Sequence, residues 1–98
     1  MVEIRWLNEA KNDLKDIFDY IAIDSKRYAK RQVDKIVERT QILKNQIRAG
    51  KVVEEINKPD IREILEGNYR IIYRIVNEES IDILLIHHCS RDLTRRIK

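Results

Sequence analysis

One cysteine, one proline and two glycines are all that 98 residues hold of the types that staple, break or loosen a chain. The single thiol, Cys89, can close no internal disulfide, which excludes a disulfide scaffold and fits a reducing compartment. So little glycine and proline leaves no linker, repeat or low-complexity tail, and residues 1–98 are expected to form one ordered domain. No apolar run approaches the roughly 20 residues needed to span a bilayer, and no signal-peptide pattern opens the chain. A soluble cytoplasmic protein with no membrane partner is therefore expected. Glycine-rich phosphate loops and nucleophile elbows are missing as well. His87, His88 and Cys89 are consecutive, and consecutive strand residues point to opposite faces, so they make a poor metal cage. No metal or cofactor is expected.

What the chain has in quantity is charge, unevenly spread. The formal net charge is only +3. Residues 8–25 carry five acids against two bases, whereas residues 26–51 carry nine bases against Asp34 and Glu38. Lys30, Arg31, Lys35 and Arg39 belong to this basic stretch, and Arg91, Arg95, Arg96 and Lys98 add a basic end. Such clustering favours nucleic acid or an acidic protein segment as a partner, and does not choose between them.

Hydrophobic periodicity supplies the fold class. Val2, Ile4 and Trp6 alternate with Glu3 and Arg5, as in a half-buried strand. Asn8 is a candidate N-cap for a helix whose apolar stripe is Ala10, Leu14, Ile17, Phe18 and Ile21. Asp24-Ser25 can cap a second helix with the stripe Ala29, Val33, Ile36, Val37, Thr40, Leu43 and Ile47, predicted to stop at Gly50. Residues 61–65, 69–76 and 81–88 read as strands, with turns at Gly67-Asn68 and at Asn77-Glu-Glu-Ser80. Ile83-Leu-Leu-Ile86 is apolar at every position, as in a central strand covered on both faces. The order β-α-α-β-β-β is an α+β arrangement, a small, mostly antiparallel sheet covered on one face by an antiparallel helical hairpin.

Strand alternation sorts the polar groups. Tyr69, Ile71, Tyr73 and Ile75 are the more apolar set and should face the helices. Arg70, Arg74, Asp82 and His88 are then expected on the opposite face, with Arg91 just beyond, unless a bulge intervenes. A histidine beside arginines suits phosphodiester chemistry, imidazole moving the proton and guanidinium groups stabilising developing charge. The plainer alternative pairs Arg74 with Asp82 across the strands and leaves the histidine as a strand-end cap.

Four pieces in order carry a family resemblance: Ala10-x-x-x-Leu14-x-x-Ile17-x-x-Tyr20-Ile21, Ile61-Arg-Glu-Ile64, Gly67-Asn-Tyr-Arg-Ile-Ile-Tyr73 and His88-x-x-Arg91-Asp-Leu93. Together they resemble the RelE/ParE toxins of type II toxin–antitoxin pairs over the whole chain. The resemblance implies the same sheet-and-hairpin fold and a cognate antitoxin that wraps and neutralises the toxin. RelE-like members cut messenger RNA on the ribosome, and ParE-like members poison DNA gyrase. For a nuclease, the resemblance implies Arg70, His88 and Arg91 as the catalytic set, with Arg62 near an upstream basic position. The tyrosine that RelE-like members often carry near the C-terminus is replaced by Ile97. The long hairpin and the His-x-x-Arg-Asp-Leu ending look more like ParE. Arg62, Arg74, Arg95, Arg96, Lys30, Arg31, Lys35 and Arg39 are then expected binding residues. An inactive relative that only binds its antitoxin is the third alternative.

Overall fold

A computed structural model describes residues 1–97; Lys98, part of the expected basic end, lies outside the described residues. Strand β1 (Glu3–Trp6) leads into helices α1 (Asn8–Ala22) and α2 (Lys26–Arg39). A 3-10 turn (Thr40–Lys44) follows, then β2 (Lys51–Val52), β3 (Ile61–Glu66), β4 (Tyr69–Asn77), β5 (Ser80–His88) and a 3-10 turn (Leu93–Arg95). The five strands form one sheet in the order β1-β5-β4-β3-β2. Only the β1–β5 pairing is parallel; the others are antiparallel hairpin-like neighbours. This is the predicted α+β sheet and hairpin, with β5 inside the sheet as its continuous apolar run requires. No helix among the described residues is long and apolar enough to cross a membrane.

The hairpin buries Ala10 and Ile36 against Ile64, Ile71, Tyr73, Ile81, Ile83 and Ile86 of the sheet. Ser25 is the N-cap of α2, its hydroxyl accepting from the Tyr28 N–H at 3.2 Å. Asn8 is not a cap: it is the first helical residue, and Leu7 stands at the N-cap without a side-chain bond. The second helix also stops short of Gly50. Thr40 Oγ1 turns back onto the Val37 carbonyl at 2.7 Å, and the chain tightens into the 3-10 turn there. That back-bonding competes with helix propagation. Beyond it, the Ile47 carbonyl accepts from the buried Tyr73 hydroxyl at 2.8 Å, a bond that replaces continued helix. Gly50 serves instead as a close-approach point. A Cβ there would sit 2.5 Å from the Glu63 carbonyl oxygen and 2.8 Å from the Tyr73 hydroxyl.

The face away from the helices is not bare. Val53, Ile56 and Ile61, with Leu93 and Ile97, cover Ile72, Leu84 and Leu85 in a second small core. The same face carries the arginines of β4.

A bulge in β5 decides where the histidines point. Ile72 pairs with Leu85 and Tyr73 with Ile83, so Leu84 is one extra residue in β5. Past it the alternation is reversed. His87 lies opposite Arg70, and His88 lies opposite Tyr69 on the helix side. The expected grouping of His88 with Arg70 and Arg74 is corrected accordingly: Arg70, Arg74 and Asp82 share a face with His87.

Candidate functional site

On the arginine face the cations are already paired. Arg70 is only 14% exposed and fills its guanidinium with two carboxylates. Glu55 accepts at 2.7 and 2.8 Å, and Glu63, itself buried, at 2.6 and 3.1 Å. Hydrogen bonding from Arg70 holds Glu55 down at about 2, and the two carboxylates raise the Arg70 pKa in return. At the far end Asp82 is fully buried between Arg5, at 2.9 and 3.1 Å, and Arg74 at 3.0 Å. The Arg5 hydrogen bonds, with help from Arg74, outweigh burial and lower the Asp82 pKa. The cross-strand pairing of Arg74 with Asp82 is thus present as the plainer sequence reading had it.

His87 is buried and occupied at both nitrogens. Nε2 stands 3.0 Å from the Arg91 carbonyl, which only accepts, so Nε2 carries the proton. Nδ1 is left to accept from Arg96 at 3.4 Å. Arg96 in turn grips Asp13 of α1 at 2.9 and 3.0 Å and the Ile86 carbonyl at 3.2 Å. Asp13 also accepts from the Ile86 N–H at 2.9 Å. Beyond the end of β1, side chains from α1 and the C-terminal turn thus satisfy this part of the β5 edge. Arg62 is likewise spent on backbone carbonyls, those of Pro59 and Gly50, both at 3.0 Å.

His88 faces a groove of about 620 Å³ between α1 and the ends of β4 and β5. Ile17, Tyr20 and Ile21 of α1 line one wall, and Tyr69, His88 and Arg91 the other. The Tyr69 and His88 rings meet edge to face at 5.2 Å. His88 Nδ1 accepts from the Ser90 N–H at 3.1 Å and lies 2.7 Å from its hydroxyl, which fixes the proton on Nε2. Arg91 is exposed and has no side-chain partner among the described residues. The groove can therefore offer an N–H donor and a free guanidinium beside apolar and aromatic walls. Tyr20, 76% exposed, extends this wall toward the hairpin tip, where Ile23 and Tyr28 are also exposed.

Of the expected catalytic set, His88 and Arg91 come together and Arg70 stands apart on the other face. Of the expected binding residues, Lys30 pairs with Asp34 at 2.7 Å, and Arg39 bonds the Leu65 carbonyl at 3.0 Å. Arg31 lies 5.7 Å over the Tyr28 ring. Lys35 and Arg95 have no ion-pair partner among the described residues. Sequence reading missed Glu55 and Glu63 as the partners of Arg70. Glu63, opposite Ile72 and one strand from Arg70, could have been found from strand phase. Glu55 lies in irregular chain and left no such signal. No three His, Cys, Asp or Glu side chains converge as a metal cage among the described residues.

A family model described as the ParE toxin of the type II toxin–antitoxin system parDE matches residues 4–93. No curated protein sequence matches the chain. Among solved structures, the chromosomal ParDE toxin–antitoxin system from P. aeruginosa is similar, with a TM-score of 0.71 at 25% identity over 90% of this chain and 96% of that one. The toxin–antitoxin complex RelBE2 from Mycobacterium tuberculosis shares the fold, with a TM-score of 0.61 at 23% identity over 90% of this chain and 93% of that one.

Proposed function

This chain belongs to the ParE toxin family of type II toxin–antitoxin systems, and on that premise we propose that it arrests growth by inhibiting DNA gyrase and is silenced by a cognate antitoxin. The observation that carries the gyrase reading is the state of Arg70. Four of its five N–H donors are taken by Glu55 and Glu63, and His88 is on the opposite face. A phosphoryl-transfer site needs unpaired donors aimed at the developing charge. The similar structures from P. aeruginosa and M. tuberculosis are toxin–antitoxin systems, which supports an antitoxin partner here. The groove beside His88 suits an amphipathic acidic segment, its apolar side against Ile17 and Tyr20 and its carboxylates toward Arg91. The site of action is the cytoplasm.

A ribosome-dependent mRNA endonuclease is the second reading, favoured by one observation: His88 and Arg91 share the groove with Tyr20 and Tyr69. Induced expression separates the two when message cleavage and plasmid supercoiling are followed together. Cleaved or relaxed plasmid with intact message is the expected result. Rapid message cleavage with normal supercoiling overturns the gyrase reading. His88→Ala leaves toxicity in place for a gyrase inhibitor and abolishes it for a nuclease that uses the groove imidazole. Arg91→Ala with Arg95→Ala tests the basic end more cleanly than truncation, because Leu93 is buried and Arg96 holds Asp13.

A further inference from the structure

The outer face of α2 is built against the stability of its own helix. Lys26 and Arg27 occupy the first turn, where the macrodipole disfavours cations, and no acid accompanies them there. Lys26 and Lys30, Arg27 and Arg31, Arg31 and Lys35, and Lys35 and Arg39 are like-charged neighbours at i,i+4 spacing, which repel. The carboxylates on this face do little to relieve them. Asp34 takes Lys30, and Glu38 has no cation within ion-pair distance among the described residues. A shallow trough of about 670 Å³ on this face is lined by charged side chains alone. A protein partner would need a buried apolar or aromatic anchor, and no apolar or aromatic residue lines this trough to receive one. Phosphates need none, because contacts to them are electrostatic.

We propose that this face of α2 binds the phosphate backbone of duplex DNA without reading its sequence. Arg27, Arg31 and Lys35 form one row on a rigid helix, stepping about 6 Å per four residues. A fixed row of cations matches a rigid, regularly charged duplex. A single strand would call for a channel with aromatic platforms. Tyr28 is the one aromatic ring here, and Arg31 already lies over it. The inference rests on the charge geometry of α2 and needs neither gyrase nor antitoxin.

The test is fluorescence anisotropy of the full chain with a short labelled DNA duplex, at about 50 to 200 mM salt. With three phosphates engaged, log K against log salt should fall with a slope of about −3, alike for unrelated sequences. Arg27→Ala, Arg31→Ala and Lys35→Ala combined should weaken binding at least about tenfold and flatten the slope. Its unfolding midpoint should not fall, since none of the three side chains holds another element. Absence of binding at low salt, or binding unchanged in the triple variant, overturns the proposal. So does tighter binding to an RNA duplex of the same sequence, which would point to a ribosomal surface. Binding to polyglutamate without binding to DNA also overturns it, and assigns the face to an acidic protein. Each result is read without gyrase, so it stands or falls separately from the target proposed above.

Discussion

The hydroxyl of Tyr73 is buried at the centre of the molecule, donating to the Ile47 carbonyl at 2.8 Å and accepting from the Gly50 N–H at 3.0 Å. Tyr73→Phe leaves both backbone groups without a partner and should cost about 1–3 kcal/mol in urea unfolding. Gly50→Ala should cost more, because the new methyl must displace the Glu63 backbone as well as the Tyr73 ring. Arg70 is held in the same all-or-none way: Arg70→Ala strands the buried Glu63 carboxylate and should destabilise by about 2–4 kcal/mol. The Arg70 cluster also sets an acid limit. Glu55 ordinarily titrates at 4.5 and is held at about 2 in the fold. A depressed carboxylate contributes stability that is complete above its unfolded pKa and is lost as pH falls through its folded one. Stability should therefore drop between pH 4.5 and about 2. A Glu55→Gln variant should lose less across that window when denaturation midpoints are compared pH by pH.

At the level of elements, local chemistry and tertiary demand decide different things. Ser25 caps α2 by its own hydroxyl, so Ser25→Ala should cost about 1 kcal/mol, measured by chemical denaturation. The Gly67-Asn68 turn was legible for a similar reason: Gly67 adopts a φ of 57°, which glycine enters without penalty. Glu78-Glu79 turns with φ negative at both positions, and Asn77 Oδ1 accepts from the Glu79 N–H at 2.8 Å. The end of α2 was not legible. Leu43 and Ile47 continue the helical stripe in sequence, but Ile47 must also present its carbonyl to Tyr73, 26 residues away. The bulge at Leu84 was equally hidden. Ile83-Leu-Leu-Ile86 is apolar throughout, so no change of polarity marks the residue that shifts the phase. His87 and His88 exchange faces because of it.

Across the whole molecule, the sheet joins its most distant strands: β1 lies parallel to β5 along Glu3–Trp6. Arg96 reaches Asp13 across 83 residues, and Arg5 reaches Asp82 across 77. Few of these contacts can form before the chain has closed on itself, so unfolding should be one cooperative event. Trp6, the only tryptophan, sits on β1, while the helical circular dichroism reports α1 and α2. The two signals should give coincident denaturation midpoints. An earlier fluorescence transition would mean that β1 detaches independently. A double-mutant cycle on Asp13→Ala and Arg96→Ala should return a coupling energy of about 1–3 kcal/mol, since both groups are shielded and doubly bonded.

The layered arrangement is legible in the order of residues alone. Periods of 3.6 and 2 fix the stripe that each helix and each regular stretch of strand buries, and the continuous apolar run puts β5 inside the sheet. The same periodicity placed Tyr73 in the core and Arg74 opposite Asp82, because local phase survives wherever a strand is regular. The chemistry of the arginine face comes instead from how the folded chain packs. Arg70 meets Glu63 across the legible β3–β4 turn, but it meets Glu55 through irregular chain that no local pattern encodes, and His88 leaves that face through one extra residue in β5. A charge read from sequence carries no record of its partner. The partner is fixed by packing, and packing here ties the expected catalytic arginine to the buried Glu63 and to Glu55.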